Sequence, residues 1–367
     1  MVVQVLESMS REGFEEVIAL HDRRSGARAF LAIHDTSVGP AFGGIRRFAY
    51  RDEKEGLLDC LRLALAMSYK CALTDIAGGG AKMVLFDRPY LDLPAAYRFL
   101  GESVAHLGGR YYAGPDVGTG WRELAWVGET TQHVTLPGPG GPGDLAGATC
   151  AGVFAGMRAA LRAVFGAEDW PARTIVVQGL GSVGKLIAER LRDQGARVIA
   201  AEIDPERREA VRRELGIECV DAGGELDREC DVFCPCAMGG ILHDLSVPRL
   251  RARVVCGSAN NLLARTMHGD RLHERGILYA PDFVVNSGAV MRGAEFHLTG
   301  RPTPLAEVEA RIGHTTTEIL RMAAEEAVPT ARIALREANR RIRLRRELGQ
   351  AVSAAREATA ASPPTDD

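Results

Sequence analysis

Two lysines and an aspartate lie in unusually glycine-rich company. Lys70 closes the run Met67-Ser68-Tyr69-Lys70, and Lys82 follows Gly78-Gly79-Gly80-Ala81 twelve residues later. Asp116 sits in Ala113-Gly114-Pro115-Asp116-Val117-Gly118-Thr119, a run that reads as a tight turn. A further glycine-rich segment, Gly39-Pro40-Ala41-Phe42-Gly43-Gly44, precedes them. Glycines let a backbone approach a ligand closely, and a desolvated lysine can lose its proton near neutral pH and act as a base. Two lysines and one acid beside such turns suit a substrate with a carboxylate and an amine or carbonyl. The alternative for each lysine is an ordinary surface charge, which the apolar or glycine-rich surroundings disfavour.

A second constellation is Gly179-Leu180-Gly181-Ser182-Val183-Gly184, a G-x-G-x-x-G. It follows an expected strand, Thr174 to Gln178, and opens an expected helix, Val183 to Gln194. In that setting Gly179 permits a tight turn, Gly181 admits a pyrophosphate to the backbone, and Gly184 lets helix and strand pack. Ser182 and Val183 bring the free N–H groups and positive dipole end of the helix to the phosphates. Glu202 ends the next strand, 23 positions after Gly179, where a carboxylate binds the adenosine ribose and repels a 2′-phosphate. The expected cofactor is therefore NAD. Asp204 is the alternative ribose ligand, or Glu202 is a solvated strand-end acid.

The elements that must position these groups fall into two blocks. In the first, strands are expected over 14–20 and 27–34 about an Asp22–Gly26 turn. A helix is expected over 53–70, a short strand over 83–86 and a second helix over 93–107. Residues 137–147 hold five glycines and three prolines and predict a hinge loop, with a helix from Thr149 to Phe165. From Ala172 strands and helices alternate, with short apolar strands at 197–201, 231–234, 254–256 and 278–280. That alternation predicts a doubly wound parallel sheet. The fold class is α/β in two domains: an N-terminal α/β substrate domain and a Rossmann-type NAD-binding domain. The arginine-dense run 332–346 is expected to be a solvated helix face, and 355–367 a disordered tail.

Composition excludes other classes. With 46% hydrophobic and 25% charged residues and a formal net charge of −3, the chain offers nothing to nucleic acid. It has no run of ~18 uncharged apolar residues to cross a membrane and no signal-peptide pattern at its start, so the expected location is cytoplasmic. The 8 cysteines are scattered in apolar stretches and predict buried thiols. Cys234-Pro235-Cys236 lacks a second ligand pair, so no metal is expected.

Taken with Pro235-Cys236-Ala237-Met238-Gly239, Gly257-Ser258-Ala259-Asn260-Asn261 and the run Ala280 to Gly288, these motifs resemble the glutamate/leucine/phenylalanine/valine dehydrogenase family. The likeness is greatest to its leucine, valine and phenylalanine branch and runs from about Phe14 to Leu348. The resemblance implies NAD-dependent oxidative deamination of an apolar L-amino acid to a 2-oxo acid and ammonia, reversibly, by a homo-oligomer. It implies that Lys70 binds the substrate carboxylate with the backbone near Gly43 and Gly44. Lys82 becomes a general base toward water, and Asp116 exchanges a proton with the substrate nitrogen. Thr149, Ala237, Asn260 and Asn261 would place nicotinamide and substrate. The side-chain pocket would comprise Phe42, Met67, Gly114, Val290 and Gly293.

It further implies a substrate domain over 1–145 completed by helices at about 330–350, and an NAD-binding domain over 146–329. Departures from the family's pattern are Ala81 before the lysine, Phe42 where leucine is common, and Gly114 and Gly293 where larger residues are usual. They bear on the substrate, not the reaction. Glutamate is disfavoured because positions 114 and 290 offer no cation. A catalytically inactive NAD-binding relative with a structural role is the remaining alternative, and the intact Lys70, Lys82, Asp116 and Glu202 argue against it.

Overall fold

The computed structural model describes residues 4–136 and 140–360, with side chains to residue 351. The chain divides into two compact units. Unit 1 spans Met1–Gly143, Phe296–Arg301 and Ala338–Asp367; unit 2 spans Asp144–Glu295 and Pro302–Glu337.

Unit 1 begins with α1 (Val5–Glu12), β1 (Glu16–His21), β2 (Arg28–Ile33), β3 (Ala41–Phe48) and α2 (Glu53–Leu73). It continues with β4 (Gly79–Phe86), α3 (Leu93–His106), β5 (Tyr111–Gly114) and α4 (Trp121–Gly128). The sheet order is β1-β2-β4-β3-β5. β1 and β4 run antiparallel to β2, while β4 and β5 run parallel to β3. β4 is buried along its whole length at the centre. Alternation along the strands separates two cores. Leu31, Ile45, Met83 and Tyr111 pack on one face with Tyr97 and Leu100 of α3. Ala32 and Val84 pack on the other with Leu57, Cys60, Leu61 and Ala64 of α2. Asp52 starts α2 by accepting from Glu55 N at 2.8 Å, the usual satisfaction of an orphan amide at a helix start.

Unit 2 contains α5 (Leu145–Phe165), β6 (Thr174–Gln178), α6 (Ser182–Asp193), β7 (Arg197–Glu202), α7 (Pro205–Leu215) and β8 (Glu218–Asp221). Then come β9 (Glu229–Pro235), β10 (Arg251–Val255), α8 (Met267–Glu274), β11 (Leu278–Tyr279) and α9 (Asp282–Val285). The last helices are α10 (Gly288–Thr299), which passes into unit 1 at Phe296, α11 (Leu305–Glu326), which lies in unit 2, and α12 (Thr330–Ala360), which passes into unit 1 at Ala338. The sheet order β11-β10-β9-β6-β7-β8, with every pair parallel, is that of a doubly wound dinucleotide fold. Its strand order reverses between β6 and β9, the customary place for a ligand in such sheets. Helix α5 is long and apolar enough to cross a membrane by length and composition, but 72% of its 18-residue apolar stretch is buried within the fold.

Several expectations need correction. The strand carrying Met83 begins at Gly79, so Lys82 lies inside a strand rather than in the loop before one. Helix α5 starts at Leu145, not Thr149, because Asp144 caps it through Gly147 N at 2.7 Å. Part of the expected hinge, 137–139, lies outside the described residues. Helix α12 continues to Ala360, so 355–360 are helical; 361–367 lie outside the described residues.

The arginine run is not a plain solvated face. Arg345 donates to Ile76 O at 2.8 Å, Arg341 to Leu73 O at 3.2 Å, and Arg346 to Gly13 O at 2.8 Å and Asp35 Oδ1 at 3.0 Å. Arg341 and Arg345 take up carbonyls at and beyond the C-terminal end of α2, where a helix leaves acceptors unpaired and favours cations, while Arg346 binds the turn after α1 and Asp35 after β2.

Candidate active site

Register, not sequence proximity, assembles the acid–base residues. Ala32 of β2 opposes Lys82, and β3 lies on the other side of β4, pairing Phe42 with Gly80 and Arg46 with Val84. β3 also pairs Phe42 with Tyr112 and Gly44 with Gly114 of β5. With a side-chain period of two, Phe42, Gly44 and Arg46 share a face with Gly80, Lys82, Tyr112 and Gly114. This is the face that α2 partly covers. A Cβ on Gly44 would fall 2.5 Å from Pro115 O and 2.9 Å from Asp116 Cβ, so only glycine admits the turn that carries Asp116.

That turn closes through Thr119 N donating to Asp116 O at 2.9 Å. Lys82 Nζ then stands 2.5 Å from Asp116 Oδ2, both side chains being largely buried. Arg46, absent from the sequence-based site, donates from Nε to the same Oδ2 at 3.0 Å and from Nη1 to Asp59 Oδ2 at 3.0 Å. Tyr50 donates to Asp59 Oδ2 at 2.7 Å and Arg62 to Asp59 Oδ1 at 2.8 Å. Burial alone would raise the Asp116 carboxyl, but Lys82 and Arg46 outweigh it and bring it down to about 2. Asp116 is a carboxylate at neutral pH. Lys70 is buried in the last turn of α2. Met67 belongs to the turn of α2 that Gly80 abuts, and Gly43 O accepts from Tyr111 OH at 2.9 Å.

Phe42 stacks on Tyr112 with ring centroids 5.6 Å apart and lies 6.4 Å from His297. The His297 ring bonds through Nε2 to Thr135 Oγ1 at 2.9 Å. Burial lowers its pKa to about 4, so the ring is neutral at pH 7. Added to Gly114, a Cβ would find its nearest atom, Thr135 Oγ1, at 3.8 Å, so there is room beside this aromatic group. Tyr112, Thr135 and His297 were not evident from the sequence, for nothing in linear spacing marks them.

In unit 2 the phosphate motif takes the expected strand–turn–helix form. Gly179 adopts φ +91, and a Cβ on Gly184 would fall 2.0 Å from Gly179 O. Around Gly181 a Cβ would meet nothing within 4 Å, and no side chain caps the start of α6. The amides of Ser182 and Val183 thus begin a helix beside open space, which fits an anionic ligand. Ala237 packs against Gly179, 2.7 Å from where its Cβ would be.

Glu202 is buried rather than solvated. Its Oε2 accepts from Leu180 N at 2.8 Å and its Oε1 from Asp204 N at 3.0 Å. Asp204 is instead the cap of α7, accepting from Glu206 N at 3.0 Å. A carboxylate accepts about four hydrogen bonds, so Glu202 retains capacity for a ribose hydroxyl. Asn260 Oδ1 accepts from Asn286 Nδ2 at 3.1 Å, and Asn261 holds a left-handed φ of 52. Thr149 lies in the first turns of α5, donating to Leu145 O at 3.1 Å; Val290 and Gly293 lie on α10.

Family models agree with this architecture. Residues 15–133 match the Glu/Leu/Phe/Val dehydrogenase dimerisation domain, and 205–346 match Glutamate/Leucine/Phenylalanine/Valine dehydrogenase. The chain is 37% identical over 349 residues to leucine dehydrogenase of Geobacillus stearothermophilus, covering 94% of this chain and 95% of that one. It is 36% identical to phenylalanine dehydrogenase of Bacillus thermotolerans over 93% of this chain and 91% of that one. The fold superposes on L-tryptophan dehydrogenase from Nostoc punctiforme with a TM-score of 0.79 at 32% identity, covering 93% of this chain and 99% of that one. The chain thus belongs to the glutamate/leucine/phenylalanine/valine dehydrogenase family of amino-acid dehydrogenases.

Proposed function

We propose that this chain reversibly oxidises an apolar L-amino acid to its 2-oxo acid and ammonia with NAD, unit 1 taking the amino acid and unit 2 the NAD. The buried Lys82–Asp116 pair, held at 2.5 Å on the sheet face beside Gly44, carries the reading. Lys70 binds the substrate carboxylate as a buried cation. Asp116, already ionised, accepts a hydrogen bond from the substrate ammonium and exchanges its proton.

Residues 179–184 hold the pyrophosphate and Glu202 the ribose. When bound, NAD supplies the two-electron oxidant for the substrate Cα–H. Lys82 then takes a proton from the water that attacks the imino carbon, and returns it as ammonia leaves. In the reverse direction its cation polarises the keto group. The balance consumes one water and yields NADH, the 2-oxo acid, one proton and ammonia protonated to ammonium. The catalytic set is complete, which favours an active enzyme over a structural one.

NAD is preferred over NADP because the Glu202 carboxylate opposes a 2′-phosphate. An apolar side chain is supported by Phe42, Met67, Gly114, Val290 and Gly293, none of which is charged. The family description of 15–133 as a dimerisation domain supports a homo-oligomer. The test is NADH formation, followed by absorbance, with a panel of L-amino acids. Turnover on apolar members is expected; none on any member refutes the reading.

A further inference from the structure

Asp116 is shared. The oxygen that meets Lys82 Nζ at 2.5 Å is the one that Arg46 Nε meets at 3.0 Å. The guanidinium reaches on to Asp59 at 3.0 Å, giving a chain Lys82–Asp116–Arg46–Asp59 of alternating charge. Its members are 7%, 11%, 15% and 12% exposed respectively, so solvent screens the chain poorly.

Three titratable groups beside it stay neutral. Burial pushes the Cys60 thiol, whose Sγ donates to Lys82 O at 3.2 Å, up to about 12. Burial likewise raises Tyr50, beside Asp59, and Tyr111, beside Asp116. Lys70 lies further along α2, and Arg62 holds the outer oxygen of Asp59. The charges joined to Lys82 through this run of contacts are those of Asp116, Arg46 and Asp59, with Arg62 on the far oxygen of Asp59.

For the reaction proposed above, Lys82 must give up a proton to serve as base, while a carboxylate in contact with it opposes that loss. We infer that Arg46 is a positioning residue that releases Lys82 for base duty: it draws on the Asp116 carboxylate and repels the ammonium, while Asp59 sets how strongly it does so. This inference rests on the deamination reading of the same site.

The two partners of the chain have opposite signs, which makes the test decisive. Without Arg46, Asp116 holds the Lys82 proton more firmly. The acid limb of kcat/KM for oxidative deamination then moves to higher pH. Without the Asp59 charge, Arg46 acts wholly on Asp116 and the limb moves to lower pH.

The full-length enzyme and its Arg46→Met, Arg46→Lys and Asp59→Asn variants are compared in kcat/KM between about pH 6 and 11. Circular dichroism and NADH-fluorescence titration are recorded alongside. Arg46→Met should shift the limb up by about one unit, a tenfold loss on the acid side that is regained at higher pH, with NADH binding unchanged. Arg46→Lys should return the limb toward the wild-type position, and Asp59→Asn should shift it down.

A loss of rate equal at every pH, or shifts of one sign in Arg46→Met and Asp59→Asn, overturns the inference and leaves deamination intact. Should Arg46→Met not fold, Asp59→Asn and Arg46→Lys decide. A wild type that oxidises no amino acid at any pH fells the parent reading and this inference with it.

Discussion

Lys82 Nζ and Asp116 Oδ2 stand 2.5 Å apart because Gly44, on β3 between the strand of Lys82 and the turn of Asp116, carries no side chain. One residue's absence of bulk lets the turn after β5 lean over β3 and reach β4. The acid–base pair thus depends on a glycine that does no chemistry itself.

Replacing Lys82 by alanine should lower kcat by on the order of 10²–10⁴ while leaving NADH affinity unchanged. The lysine lies in unit 1, whereas the phosphate motif lies in unit 2. Single-turnover kinetics with fluorescence titration separates the two effects. A variant with near-normal kcat would end the general-base assignment.

NAD should be used at least about tenfold better than NADP, because a buried carboxylate repels a 2′-phosphate. Glu202→Ser should narrow that ratio and also weaken NAD itself, since Leu180 N loses its acceptor at 2.8 Å. Equal kcat/KM for the two cofactors in the wild type is the contrary result.

Among valine, leucine, phenylalanine, tryptophan and glutamate, glutamate should be the poorest substrate, because none of the proposed side-chain residues Phe42, Met67, Gly114, Val290 and Gly293 is a cation to pair its second carboxylate. Phe42, stacked on Tyr112, offers a ring to aromatic side chains. Phe42→Leu should therefore cost phenylalanine and tryptophan more kcat/KM than leucine, by about tenfold for ~1–2 kcal/mol of lost contact. Glutamate as the best of the five would overturn the pocket assignment.

Arg345→Ala should destabilise the fold by about 1–3 kcal/mol, the range for stranding a buried acceptor. It removes the donor to Ile76 O at 2.8 Å and a cation at the end of α2, the helix that carries Lys70. A fall in urea midpoint with unchanged slope is the expected signature. No change in midpoint would return the arginine run to a solvated role.

Stability should fall between about pH 6.5 and 4. Burial lowers His34 to about 4 from 6.5, so between those values the unfolded chain binds the proton and the folded one does not. Stability then rises with pH across that window and is complete above it. At about 1.4 kcal/mol per unit the contribution amounts to about 3 kcal/mol. Chemical denaturation of wild type and His34→Gln at pH 4.5 and 7.5 checks it: the variant should lose less on acidification.

Much of this protein is local in origin and is legible in its sequence. The G-x-G-x-x-G announces itself because a positive φ at Gly179 and the close packing at Gly184 are demands that no other residue meets. The alternation after Ala172 announces a parallel sheet because buried parallel strands need uninterrupted apolar runs. Lys82 and Asp116 attract notice through their glycine neighbours, since close backbone approach leaves a compositional trace.

Strand β3 left none: its glycines erase the period-two pattern, so no element was expected over Ala41–Phe48. Helix α12 announced its arginines but not their partners, because carbonyls at the end of α2 become acceptors only once the two helices meet. Arg46, Asp59, Tyr112 and His297 are ordinary residues in sequence. Strand register and the return of the chain at Phe296 bring them to Asp116 and Phe42, and such pairings follow from long-range packing that one-dimensional spacing does not encode. Sequence alone thus determined which chemistry is carried; tertiary structure decided which charge balances which, because a buried charge takes its partner from whatever the fold lays beside it.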